Sequence, residues 1–529
     1  MSLFTNPEIV RNARIQLRPR RMVSAAALCA AIEVALIYFF LRGGFAVDST
    51  TTVYGGGQGL LRTILWIQAV VLVIGGGIAS IHAIQREKDQ NTFDFQRLTR
   101  LSPSELTIGK LFGPPLMVYF VFVCLLPAAI VGAVAGGASW EFVLAAYFIL
   151  VLGAIAYMAF ALVISLFLQR GTATWAILGY LVIVVLTSQR TMEAHLSLGP
   201  VSPFFAIDTA QQHSWSLGDG IVRIGSMPLP ISSAFKDLFF GYPLHHALVL
   251  IVLYLTLLVW FIVAVTRNIK RDPANYELYT PSQAIGFLCY LNLIAFAFFR
   301  WGPSKSLPVG PQLGLLGLLH PFTPLDAQSA LLTINIAPFF IFGFILLRNR
   351  NRMRRRLHGI EAGPISLESI WPVPYILLGA ILVGAAMVGV IQWKRNPALE
   401  WNLAVAIFRV IYFAVWISCD LLFLQWMNLR RGRHPLPLGV LYLVVYYVCA
   451  GLVVGALHLT QNPFTAIFLP TPLSELNTTL WSAKPAEWIV ALLAVAAAAI
   501  VFIFLQRRQI EELQPRPIET RDIASASAV

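Results

Sequence analysis

Long apolar runs constrain this chain more than any other feature. They fall at about 22–41, 60–84, 111–135, 141–168, 172–187, 247–266, 282–299, 327–347, 373–393, 402–427, 436–457 and 487–505. A helix needs about 20 such residues to cross roughly 30 Å of hydrocarbon. In lipid each run must satisfy its own backbone hydrogen bonds, so each is expected to be a helix. The ten-residue alternation of a transmembrane barrel is absent. Only 12% of the 529 residues are charged, about half the usual share for a soluble domain. The reading is an all-α polytopic membrane protein with about twelve transmembrane helices.

The net charge of +13 fits the excess of Lys and Arg on the cytoplasmic ends of membrane helices, and no nucleic-acid partner is expected. With both termini in the cytoplasm, 27 of the 38 Lys and Arg lie on the inner side. The five cysteines all lie in apolar runs with no CxxC pair and read as small core hydrophobes. Shifting the first half by about 260 residues lays most spans on later ones. It also aligns Ser202-Pro203-Phe204-Phe205-Ala206-Ile207 with Asn462-Pro463-Phe464-Thr465-Ala466-Ile467. This repeat divides the chain into six-helix halves, 22–271 and 272–506, followed by a polar tail, 507–529. An outer loop, 188–246, rich in proline, is expected to hold short helices.

Residues 1–21 carry Asn6 as a helix cap, Pro7 at the first helical position and five arginines among apolar residues. They read as an amphipathic basic helix on the lipids of the inner leaflet. Charge is densest between the second and third spans, at 85–110. There Ser102-Pro103-Ser104-Glu105 is a capping box with proline at the first helical position, so a helix is expected to start at 103 and run into the third span. Asn91 or Thr92 can start a second short helix. Phe93, Leu98 and Leu101 would give that stretch apolar surface, and Asp89, Asp94, Arg97 and Arg100 would give it charge. A short capped helix between two spans is a stiff lever.

This stretch resembles the cytoplasmic loop of type-2 (ABC-2 type) ABC-transporter permeases. In that family a charged run, Gly-Thr, a bulky apolar residue and an acid precede Thr-Pro-Leu-Ser, then Glu-Leu and a Gly-Lys at the next span. Glu87 and Asp89 match the charged run, and Thr92-Phe93-Asp94 match the element after it. Thr99 and Leu101-Ser102 match the middle, and Glu105-Leu106 with Gly109-Lys110 match the end. Asn91 stands where glycine is usual, though asparagine tolerates a left-handed turn. Arg100 stands where proline is usual. The resemblance covers roughly residues 1–270, and the corresponding loop of the second half, 348–371, is far more degenerate. It implies a coupling helix that docks on a cytoplasmic ABC ATPase subunit. The residues carried over are Glu87, Asp89, Asn91, Thr92, Phe93, Asp94, Arg97, Leu98, Leu101, Ser102, Pro103 and Glu105.

The chain has no Gly-x-x-x-x-Gly-Lys-Ser/Thr, so ATP is expected on the partner and no catalytic site on this chain. No cofactor or metal constellation is evident. Gly55-Gly56-Gly57-Gln58-Gly59 reads as a flexible outer loop, and Gly75-Gly76-Gly77 as a close-packing or hinge point. Gly132/Gly136 and Gly451/Gly455 have the spacing of tight helix contacts. Glu33, Arg409 and Asp420 lie inside spans, where ionisable groups are costly and face protein or a polar path. Glu33 and Arg409 lie at similar depths and are expected to pair or to line one polar cavity. The expected function is the permease subunit of an ABC exporter in a bacterial inner membrane, either as one chain whose halves form the pathway or as a homodimer. The alternatives are an ion-coupled secondary carrier and, after it, a polytopic membrane enzyme.

Overall fold

The computed structural model describes residues 6–42, 52–138, 140–168, 171–188, 202–204, 221–224, 227–230, 246–271, 276–297, 324–347, 350–358, 372–394, 402–430, 435–456 and 485–514. Among them eight helices are long and apolar enough to cross a membrane: Pro19–Arg42, Gly56–Asp89, Leu116–Ala135, Val143–Phe167, Leu248–Asn268, Val373–Gln392, Leu403–Leu429 and Trp488–Glu511. Such a set fits an integral multi-pass membrane protein. The runs at 172–187, 282–299, 327–347 and 436–457 also contain helices, Ala173–Ser188, Pro281–Ala297, Pro324–Leu346 and Pro435–Ala456, which fall outside that set of eight.

The chain divides into two compact units, one of Met1–Leu278 with Ala297–Arg300, the other of Tyr279–Phe296 with Trp301–Val529. In the first unit α1 (Pro7–Gln16) precedes α2 (Pro19–Arg42). Then α3 (Thr52–Val70) passes through a π turn, Val71–Gly75, into α4 (Gly76–Asp89). A π turn leaves a carbonyl without its usual helical partner, and the Tyr180 hydroxyl donates to the Val73 carbonyl at 2.6 Å. Gly77 packs so closely on the Tyr180 ring that no Cβ fits there, in keeping with the close packing expected of this glycine triplet.

The glycine-rich stretch at 55–59 is helical, a correction to the expected loop. It lies in α3, which packs on α8 (Leu126–Ala135). A Cβ on Gly132 would stand 2.7 Å from the backbone nitrogen of Leu61. Close backbone contact between these helices thus outweighs the low helix propensity of glycine. Gly451 and Gly455 lie in the helix Pro435–Ala456.

After α4 come α5 (Phe93–Arg97), α6 (Pro103–Phe112), α7 (Leu116–Cys124), α8, α9 (Trp140–Phe167), α10 (Ala173–Ser188) and α11 (His246–Asn268). α6 stops at Gly113 instead of running into the next span. Pro114 and Pro115 have no N–H to donate, and each restricts the residue before it. A second break, at Leu125, separates α7 from α8. In the loop 188–246 the described elements are Ser202–Phe204 and an antiparallel hairpin, Ile221–Ile224 with Met227–Pro230, with Ile221 opposite Pro230. The strands agree with the β-branched Ile221, Val222 and Ile224, and most of this loop, where short helices were expected, lies outside the described residues. Residues 205–207 of the repeated motif, and all of 462–467, lie outside the described residues.

The second unit holds α12 (Pro281–Ala297), α13 (Pro324–Leu346), α14 (Arg350–Leu357), α15 (Val373–Lys394), α16 (Leu403–Leu429), α17 (Pro435–Ala456) and α18 (Pro485–Glu511). Central to it is α16, which packs on α13, α15, α17 and α18. Asn292 and Asn335 exchange side-chain hydrogen bonds of 2.7 Å between α12 and α13, satisfying two buried amides at once. Helix α18 continues beyond residue 506, where the tail was expected to begin, and Arg507 pairs with Glu511 at 3.1 Å. Residues 515–529 and 359–371 lie outside the described residues.

Candidate functional site

The helical segment Gly56–Asp89 has 34 residues. At 1.5 Å per residue that is about 50 Å, well beyond a hydrocarbon layer of about 30 Å. Its charged end, Arg86-Glu87-Lys88-Asp89, therefore projects from the apolar part. The chain reverses there through Asn91, whose φ is +55°. The Asn91 N–H donates to the Lys88 carbonyl at 3.2 Å and the Thr92 N–H to the Glu87 carbonyl at 2.9 Å. These are the two bonds of a Schellman cap, with asparagine at the left-handed position usually held by glycine. Thr92 stands at the N-cap position of α5 but does not cap it; its hydroxyl donates to the Glu87 carbonyl at 3.3 Å.

Glu87 turns inward. Its carboxylate pairs with the Lys110 ammonium and accepts from Arg11 at 3.0 Å and Gln96 at 2.7 Å. Lys110, 1% exposed, also binds Glu8 at 2.9 Å, and Arg11 binds Glu8 at 2.8 Å. Two acids and two bases thus make a neutral cluster that joins α1, α4 and α6. Asn6 strengthens the joint. Its side chain accepts from the Glu8 N–H at 3.0 Å and donates to the Glu105 carbonyl at 2.8 Å. The amphipathic start of the chain is therefore a helix, as expected, and it is fastened to this turn. At α6 both bonds of the capping box form: the Glu105 N–H donates to Ser102 Oγ at 3.2 Å, and the Ser102 N–H to Glu105 Oε2 at 2.9 Å. Donation from the Ser102 backbone, then from its hydroxyl, holds the Glu105 carboxyl below its usual range.

The same turn is tied to three further places. Lys88 Nζ donates to the carbonyls of Ser165, Leu166 and Leu168 at 2.9, 2.7 and 2.7 Å, a cation on the C-terminus of α9. Asp89 accepts from the Gly171 N–H at 2.8 Å, before α10. Lys270, beyond α11, donates to the Thr99 carbonyl at 2.8 Å.

Of the residues singled out in the sequence, Phe93 is buried and Leu101 half-buried. Asp94 faces solvent and pairs with Arg97 at 2.6 Å. Leu98 is 85% exposed and Phe95 80% exposed, an apolar pair at i, i+3 spacing on one helical face. Phe95, Glu8 and Arg11 were not among the predicted site residues. The signal for Glu8 was present, since it is the first acid of the chain and stands among five arginines.

The intramembrane residues divide between the units. Glu33 is buried and accepts from the Ala128 N–H at 3.0 Å. Ala128 is in the first turn of α8, whose leading amides lack helical partners, so Glu33 caps the helix that restarts after Leu125. Glu33 belongs to the first unit and Arg409 to the second. Arg409 is buried on α16. Asp420, also on α16, accepts from the Tyr447 hydroxyl at 2.6 Å. Among the described residues no group of three or more His, Cys, Asp or Glu side chains is placed to hold a metal.

The fold and the site together describe a helical multi-pass membrane protein whose charged turn is tied to three helices and to the segments beside two more. Compared with models of known families, with curated proteins and with solved structures, the chain gives no match.

Proposed function

We propose that this chain is the permease subunit of an ABC exporter, with twelve spans, both termini in the cytoplasm of a bacterial cell and a separate ATPase docking on residues 85–110. One observation carries the reading. Phe95 on a short helix and Leu98 at its C-cap are exposed, and the flanks of that helix are bound to α1, α6, α9 and the segments beside α10 and α11. A force on that face is transmitted to every helix so tied. Within this reading the residues have two roles. Asp94, Phe95 and Leu98 meet the partner, while Glu87, Asp89, Asn91, Thr92, Phe93, Ser102, Pro103 and Glu105 hold the shape that presents them. Apolar contact supplies affinity and the flanking charges orient the encounter.

Purification from native membranes tests this. A P-loop ATPase is expected to accompany the chain, and Leu98→Asp or Asp94→Lys to release it without loss of the folded permease. A chain that moves cargo in proteoliposomes with no nucleotide-hydrolysing companion overturns it. The buried carboxylate of Asp420 favours the second reading, an ion-coupled carrier, because intramembrane acids serve proton and cation relays. Transport that follows an imposed ion gradient and ignores ATP would select that reading.

A further inference from the structure

Asp420 is only 7% exposed. Its surroundings fix the direction of its hydrogen bond. The Trp416 indole N–H can only donate, and it donates to the Tyr447 oxygen at 2.6 Å. The single Tyr447 O–H is therefore left to donate to Asp420. Among the described residues no Lys, Arg or His lies within ion-pair distance of this carboxylate, and Tyr447 is its one hydrogen-bond donor. Beside it opens a cavity of about 550 Å³ between α16, α17 and α18, walled by Trp416, Phe423, Tyr446 and Phe502 and widened by Ala494 and Ala498 on α18. The rings of Phe423 and Phe502 pack edge-on at 5.4 Å.

A buried acid without a cation, in an aromatic chamber of the size that holds a small molecule, has a definite complement. An anion is repelled by the carboxylate. A neutral apolar molecule leaves the acid unmatched, which is costly in a medium of low polarity. Hard metal ions need several oxygen ligands, and among the described residues Asp420 is the single carboxylate lining the cavity. A positive charge on an apolar body satisfies both the acid and the ring faces. We infer that this cavity binds a lipophilic organic cation, an amine or onium group on an apolar body, with its charge against Asp420 and its body among the rings. This claim concerns binding and holds or fails independently of the ATPase reading.

The test uses the full chain in lipid nanodiscs, with radiolabelled tetraphenylphosphonium as probe and tetraphenylborate as a competitor of like shape and opposite charge. Saturable binding of the cation is expected, with no displacement by the anion. Asp420→Asn keeps the shape and the Tyr447 bond, and is expected to weaken binding about ten-fold or more. Ala498→Phe, which fills the cavity away from the hydrogen-bonded chain, is expected to abolish binding. It carries the test alone if the first variant does not fold. The proposal is overturned if the wild type does not bind the cation, if tetraphenylborate displaces it, or if either folded variant binds as the wild type does.

Discussion

Lys110 and Asp420 are both buried ionisable groups, and they are treated in opposite ways. The Lys110 ammonium lies between the carboxylates of Glu8 and Glu87, with Arg11 completing a neutral set. Asp420 has one tyrosine hydroxyl, no cation among the described residues, and an open chamber at its side. A buried charge with all its partners in the chain fixes where elements sit. A buried acid with too few partners is left for something the chain does not supply. The first region is thus read as mechanical framework and the second as a place of binding.

The largest effect is expected at Lys110. Lys110→Met leaves Glu8 and Glu87 facing each other with only the half-exposed Arg11 between them. Removing one member of a buried ion pair costs about 3–5 kcal/mol. The expected result is a large drop in melting temperature of the purified protein in nanodiscs, with loss of protection from proteolysis at α1. Asp420→Asn is expected to stay within about 1 kcal/mol of the wild type, because the amide oxygen still accepts from Tyr447 and no ion pair is lost. Equal destabilisation by the two variants would erase the distinction.

A double-mutant cycle sharpens it. Glu87→Gln and Lys110→Met should couple by about 1–3 kcal/mol, and more strongly than Glu8→Gln and Lys110→Met, since Glu87 also holds Arg11 and Gln96. Melting curves of the four proteins in each cycle give both values, and equal coupling would show that Glu87 is not the hub.

The smallest effect is expected at the capping box. Ser102→Ala removes one cap of α6, at a cost of about 1 kcal/mol. The two Ser102 bonds lower the Glu105 pKa. The stabilisation from ionised Glu105 is therefore present above the ordinary carboxylate pKa and fades as pH falls through the lowered one. The melting difference between wild type and Ser102→Ala should accordingly shrink in acid. A difference that grows in acid contradicts the assigned bonds.

Local signals carried much of this structure in the sequence. Ser102 and Glu105 are three residues apart, and their cap needs nothing distant. Asn91 takes the left-handed turn because its own side chain permits it. The stop at Gly113 was equally local, written in Pro114-Pro115, yet the apolar run across it hid the break. The glycine stretch at 55–59 was misjudged because its helix depends on the glycine face of α8, some 75 residues away in the chain. The ion cluster was illegible for a similar reason. Glu8 and Lys110 are separated by 102 positions, and only the packing of α1 on α6 brings them together. Phe95 looked like any apolar residue in a short amphipathic segment. Its exposure follows from Phe93 taking the inward position.

The proposed partner of the face bearing Phe95 and Leu98 is a cytoplasmic ATPase. The most direct measurement places a photo-crosslinking amino acid at position 95 of the full chain in its native membranes and identifies the product by mass spectrometry. One dominant adduct is expected, to an ATPase carrying a P-loop, and it should disappear in Leu98→Asp. Adducts to lipid alone, or labelling of a cysteine at position 95 by an impermeant reagent added outside intact cells, would contradict it.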